Sequence, residues 1–354
     1  MSRRATIGLW LAAALAAGAQ QVEHRMGDYW VSTSYEFGYR SVLVDGNREA
    51  YRAALNYNNG IRLFDGFLRM NSRDGHGRWV DEVVLTNFGA GGDPYQATGL
   101  RLEKNQFYRL DAGFRIVNYR NQLLALSGGG HGFNTERIFQ NYDLTLFPQR
   151  RVQFVIGFDR NNQNGPALSS ENIAVGRGSG SEPAFPRDRF FVFTDDLRRV
   201  NNQWRVGGNA SLGGGVKLSF LQGWDFYKDD TRHTAPGHRR DDPVHGMTPF
   251  SRLGIHSDPN RRLSLNGRLV YAGGERNFVL DENIASLNPT SNVLVTRQAY
   301  VLGRGRRNQG SGDLTVAVQP AEKWAVSNTT SLHQTRLAGD SAFVELRQPP
   351  NRLD

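Results

Sequence analysis

An all-β fold, a transmembrane antiparallel up-and-down β-barrel, is what the sequence predicts. Three observations predict it: large apolar side chains recur at every second position in many segments, very short links alternate with long polar ones, and no apolar run is long enough for a membrane helix.

The chain of 354 residues opens with Arg3 and Arg4, an apolar stretch from Ile7 to Ala17, and the small residues Ala17-Gly18-Ala19. That is the order of a secretory leader. Residues 1–19 are therefore expected to be a signal peptide and residues 20–354 the barrel domain. The apolar stretch falls short of the roughly 18 residues that a spanning helix needs. Export without a helical span points to the bacterial outer membrane, with its lipid as the first partner.

Composition agrees with strands and turns. Apolar residues make up 38%, aromatics 11%, and there are 40 glycines, a mixture poorly suited to a helical core. Cysteine is absent, which excludes disulfides, iron–sulfur ligation, thiolate nucleophiles and haem attached through a cysteine pair. The formal charge of +9 suits an anionic partner. Nucleic acid is not expected of an exported chain that carries no basic helical stripe.

From Trp30 onward the alternation is plain. Val31, Thr33, Tyr35, Phe37 and Tyr39 oppose Ser32, Ser34, Glu36, Gly38 and Arg40. Between Phe107 and Val117, Tyr108, Leu110, Ala112, Phe114 and Ile116 share one face, and Arg109, Asp111, Gly113 and Arg115 the other. The same rule separates Val152, Phe154, Ile156 and Phe158 from Gln153, Val155, Gly157 and Asp159. It separates Trp204, Val206 and Leu212 from Arg205 and Asn209, and Leu263, Leu265, Leu269 and Tyr271 from Asn266 and Arg268. Trp324 to Leu332 is a weaker example.

Short links are expected at Asn105, Pro148-Gln149-Arg150, Gly213-Gly214-Gly215, Asp258-Pro259-Asn260 and Gln319-Pro320-Ala321-Glu322. Long polar loops are expected at 118–136, 161–188, 228–248 and 273–295. Tight links at one end and long loops at the other form the outer-membrane pattern, and aromatics such as Tyr35, Tyr39, Tyr108 and Tyr142 suit its interfacial girdles. About 14–16 strands are expected, enough for a water-filled interior. The segment Phe190 to Leu197 disturbs the count, because as a separate strand it puts the turn at Gly213 on the wrong side. The chain closes on Pro349-Pro350 and Asp354 without a final aromatic strand, so an incomplete, truncated barrel is expected.

A resemblance adds to this reading. Phe37-Gly38-Tyr39-Arg40, Asp45-Gly46-Asn47, Tyr51-Arg52, Leu63-Phe64-Asp65-Gly66-Phe67, Gly92-Asp93-Pro94-Tyr95 and Tyr119-Arg120 resemble the large barrels that sheath multihaem (decahaem) cytochromes in metal-reducing and iron-oxidising bacteria. The resemblance implies a porin-like tube that holds a haem protein for electron transfer across the outer membrane, the barrel itself carrying no cofactor. Members of that family often have a cysteine pair near the mature amino terminus, which this chain lacks. The alternative is a general or anion-preferring diffusion porin with no protein partner.

The candidate functional residues are the charges on polar strand faces: Glu36, Arg40, Arg109, Asp111, Arg115, Arg205 and Arg268. Fixed charge of this kind tunes selectivity in a barrel lumen, or else forms a structural ladder in which Glu36, Asp111 and Asp159 pair with the arginines. His233, His238 and His245 lie among Asp229, Asp230, Asp241 and Asp242, but their spacing fits no compact metal site. Gly176-Arg177-Gly178-Ser179-Gly180 lacks the lysine and the flanking elements of a phosphate loop. Neither His-Glu-x-x-His nor Gly-x-Ser-x-Gly occurs, and no enzymatic activity or cofactor is expected.

Overall fold

The structure, a computed structural model, describes residues 22–122, 132–172, 190–260, 262–287 and 294–348. The leader, the Gly176–Gly180 segment and Pro349-Pro350 lie outside the described residues.

Strands dominate the chain. They are β1 (Val22–Met26), β2 (Tyr29–Arg40), β3 (Gly60–Ser72), β4 (Glu82–Ala90), β5 (Tyr95–Lys104), β6 (Tyr108–Gln122), β7 (Gly132–Leu146) and β8 (Val152–Asn172). There follow β9 (Phe190–Ser211), β10 (Val216–Asp229), β11 (Arg232–Ala235), β12 (His238–Asp241), β13 (Val244–Asn260), β14 (Leu263–Leu287), β15 (Leu294–Ala321) and β16 (Trp324–Gln348). One short helix, α1 (Arg48–Ala54), interrupts them. Asn47 starts it, its side-chain oxygen accepting from the Ala50 amide at 3.1 Å.

All sixteen strands join one antiparallel sheet in which each neighbour in sequence pairs with the next, from β1 to β10, then β13 to β16. The hairpin β11–β12 fills a notch, pairing outward with β9 and β14 above the ends of β10 and β13. Among the described strands β1 and β16 have a partner on one side only. The sheet is thus the wall of a transmembrane up-and-down barrel that is incomplete. A sheet can cross lipid because its backbone groups are satisfied strand to strand.

The links fall as the barrel pattern requires. At one end they are residues 27–28, 73–81, 105–107, 147–151, 212–215 and 322–323, and the β13–β14 connection falls at the same end. At the other end lie 41–59, with α1, and 230–243, with the β11–β12 hairpin. The turns expected at Asp258-Pro259-Asn260 and Gln319-Pro320-Ala321-Glu322 sit a few residues later, because the strands run on through irregular register at Ser257/Asn260 and Val318/Ala321.

The larger difference is in the long loops. Much of 118–136, 161–188, 228–248 and 273–295 is strand: β8 continues to Asn172, β9 begins at Phe190, β14 reaches Leu287 and β15 begins at Leu294. Rich in polar residues and glycine, these stretches lack the regular alternation that marks a membrane strand, yet their backbones pair all the same. Phe190 to Leu197 is the upper half of β9, so the turn at Gly213 falls on the correct side.

A bilayer needs about 9–11 residues per strand, whereas β14, β15 and β16 have 25, 28 and 25. More than half of each therefore stands outside the hydrocarbon layer, as an extension of the wall.

Candidate pore-lining site

Two residues paired across an antiparallel ladder point to the same face, so the register sorts the side chains into two faces. One row runs Glu36, Asp65, Phe88, Ala97, Arg115, Phe139, Asn161, Asn201, Tyr227, Gly246, Arg276 and Gly305. A second runs Arg101, Asp111, Asp143, Gly157, Arg205, Gly223, Phe250 and Ala272. Arg109 and Arg268 lie on further rows of this face, opposite Glu103 and Asp313.

The opposite face carries Leu110, Leu144, Ile156 and Val206 in one row and Ala112, Tyr142, Phe158, Trp204 and Trp224 in the next. Phe158 sits 6.2 Å from Tyr142 and 4.5 Å from Trp204, ring centre to ring centre. Trp204 is 48% exposed and Val206 47%. So much apolar surface on view is unfavourable in water and is what a lipid-facing wall requires.

On the polar face the sequence-derived charges fall into different environments. Asp111 accepts from Arg101 at 2.6 Å and from Arg109 at 2.8 Å. Arg205 reaches two carboxylates, Asp143 at 2.9 Å and Asp159 at 3.0 Å. Gly157 leaves room for this contact, since a Cβ there would lie 2.7 Å from the Asp143 carboxylate and 2.8 Å from Arg205 Nε. Arg115 instead lies over the Phe139 ring at 5.4 Å.

Arg268 and Arg252 come within 4.0 Å of no described carboxylate. Glu36 faces Asp65, a like charge.

Arg40 lies beyond a bulge at Glu36/Phe37 and belongs to a separate cluster. Its guanidinium donates to Asp93 at 2.9 Å and stacks over Tyr57 at 3.9 Å. Arg62, 3% exposed, binds the same carboxylate at 2.9 Å. Sequence reading overlooked Arg62 and Asp143 and met Asp93 only within the Gly92–Tyr95 motif, because the role of each depends on a neighbouring strand.

The histidines are divided among carboxylates. His233 contacts Asp195 at 2.6 Å and Asp242 at 3.0 Å, His238 contacts Glu282 at 2.7 Å, and His245 contacts Asp230. Arg240 adds a bond to Glu282 at 2.7 Å. Among the described residues no group of three or more His, Cys, Asp or Glu is arranged to hold a metal ion.

This cluster fastens the hairpin to the extension, around the buried ring of Phe193. Hydrogen bonds to Asp195 and then Asp242 hold the His233 imidazolium up to about 9, against its burial. The bond from His238 first, and then Arg240, holds the Glu282 carboxyl down to about 2.

One solved structure gives a match. It is the ferric yersiniabactin uptake receptor FyuA from Yersinia pestis, at 10% identity and a TM-score of 0.42, covering 75% of this chain and 49% of that one. The chain spans about half the length of that receptor. No family model matches the sequence, and no curated protein matches it.

Proposed function

We propose that the chain forms part of the wall of a water-filled passage across the outer membrane, through which small polar solutes move. The observation that supports this is the division of the sheet between β6 and β10 into an apolar face and a face that carries the charges. A charged interior facing solvent is the arrangement that conducts. Along β13 to β15 the charge on that face is mostly arginine: Arg252, Arg268, Arg276 and Arg307. That arc favours anions.

The test is conductance. The full-length protein in a planar bilayer with a potassium chloride gradient should give a reversal potential of the sign set by chloride. A non-conducting barrel, or a cation-selective one, would overturn the reading.

A second reading follows the sequence resemblance of the Glu36–Asn121 region: the interior holds a multihaem cytochrome. It requires haem absorbance to co-purify with the barrel in stoichiometric amount, and the same barrel to be electrically tight while occupied.

A further inference from the structure

A cavity of about 580 Å³ opens where β13, β14, β15 and β16 meet, at the loop end of the arginine arc. Its volume lies within the range of small-molecule sites. Arg276, Arg306 and Arg307 line it together with Phe278, Leu337 and Val244, so cationic and apolar side chains share its lining.

Arg276 pairs across the ladder with Gly305, and Arg307 with Gly274. The two arginines are therefore diagonal neighbours on the polar face, roughly 7–8 Å apart. Guanidiniums so placed repel each other but can both reach one anionic group. Among the described residues no carboxylate lies within 4.0 Å of either. Asp225 interacts with Arg276 only at longer range.

Arg276 is held in place, its guanidinium 5.0 Å above the Tyr227 ring. Space beside it is kept open, since a Cβ built on Gly305 would meet nothing within 4 Å. An oriented guanidinium, a second one nearby, an apolar wall and an empty floor form a site for a particular kind of molecule.

We infer that this cavity binds a soluble amphipathic organic anion, one with a carboxylate or sulfonate for Arg276 and Arg307 and a compact apolar body for Phe278 and Leu337. The inference rests on the reading of the charged face as open to solvent, and it names a ligand class for that face.

The test uses the full-length protein in phosphatidylcholine nanodiscs, titrated with naphthalene-2-sulfonate, with empty nanodiscs as the blank and naphthalene-2-methanol as the neutral counterpart. Saturable one-to-one binding of the sulfonate and none of the alcohol is expected. Arg276→Gln and Arg307→Gln should each weaken binding about tenfold or more. Gly305→Leu, which fills the floor at a backbone conformation open to any residue, should do the same while heat-modifiable migration stays unchanged.

Non-saturable uptake, equal binding of the alcohol, or variants that bind as well as the parent would overturn the site. A protein that conducts without binding keeps the passage and loses the site. One that binds without conducting keeps the site and loses the passage.

Discussion

The wall and its extension are built from the same strands by opposite rules. In the wall, Trp204, Val206, Phe154 and Phe220 show large apolar surfaces to the outside, and lipid takes the place of a core. In the extension it is polar groups that are buried: Asp195, His238 and Glu282 are each less than a tenth exposed, around a Phe193 that is 2% exposed. Beyond the bilayer the sheet must close off its own apolar residues against water, and it does so with a small knot of ion pairs. Removing one partner from such a knot leaves an uncompensated buried charge, whereas the wall depends chiefly on its backbone ladder.

The largest expected effect follows from that contrast. Phe193→Ala should loosen the extension by about 3–5 kcal/mol, the cost of removing a fully buried aromatic ring. Hydrogen exchange should show the β11–β12 amides losing protection while those of β6 to β8 keep theirs. Equal loss in both regions would mean that wall and extension are one cooperative unit.

Next in size is a pH effect confined to the extension. His233 is held up to about 9, so its contribution is fully present below its ordinary value near 6.5 and is lost as pH rises through 9. The loss should amount to about 2–3 kcal/mol. Tryptic cleavage after Arg239 or Arg240, normalised to a free peptide, should rise between pH 7 and 9.5, and His233→Gln should remove that rise. Glu282, held down to about 2, acts at the other limit: its share is present above about 4.5 and fails only as pH falls through 2.

The same contrast explains what the sequence revealed. Tyr108 to Ile116 and Phe154 to Phe158 alternate because one of their faces meets lipid, and the period of two makes that face legible without any neighbour. The upper halves of β8 and β14 leave the bilayer and bury polar as well as apolar groups, so much of 161–172 and 273–287 carries no strict period and reads as loop. Register was equally hidden. Arg109, Asp111 and Arg205 could be assigned to a polar face, but Asp143 and Arg101, which complete their ion pairs, are named only by pairing across strands. The arginine cavity drew no notice, since its lining comes from four strands and its floor is a glycine.

A smaller effect is expected in the wall. Arg205 binds Asp143 and Asp159, which are 40% and 38% exposed, so screening by water limits its worth to about 1–2 kcal/mol. Arg205→Gln should lower the melting temperature slightly, and should shift the reversal potential toward cations by leaving two carboxylates unopposed on the lining. A shift toward anions would mean that this row lies away from the permeation path.

The smallest expected effect closes the comparison at its far edge. Arg304 and Asp340 pair at 2.7 Å on β15 and β16, but they are 61% and 69% exposed. Two long, hydrated side chains gain little from meeting, and salt screens what remains. Arg304→Gln should therefore leave the unfolding transition where it is in the parent, with tryptic protection of the β11–β12 hairpin unchanged. The knot around Phe193 would then be distinguished by burial, because its bonds to Asp195 and Glu282, at 2.6 and 2.7 Å, differ by no more than 0.1 Å from the 2.7 Å bond at Arg304. A loss at Arg304 as large as that from neutralising His233 would show instead that the β15–β16 extension is covered by something that excludes water.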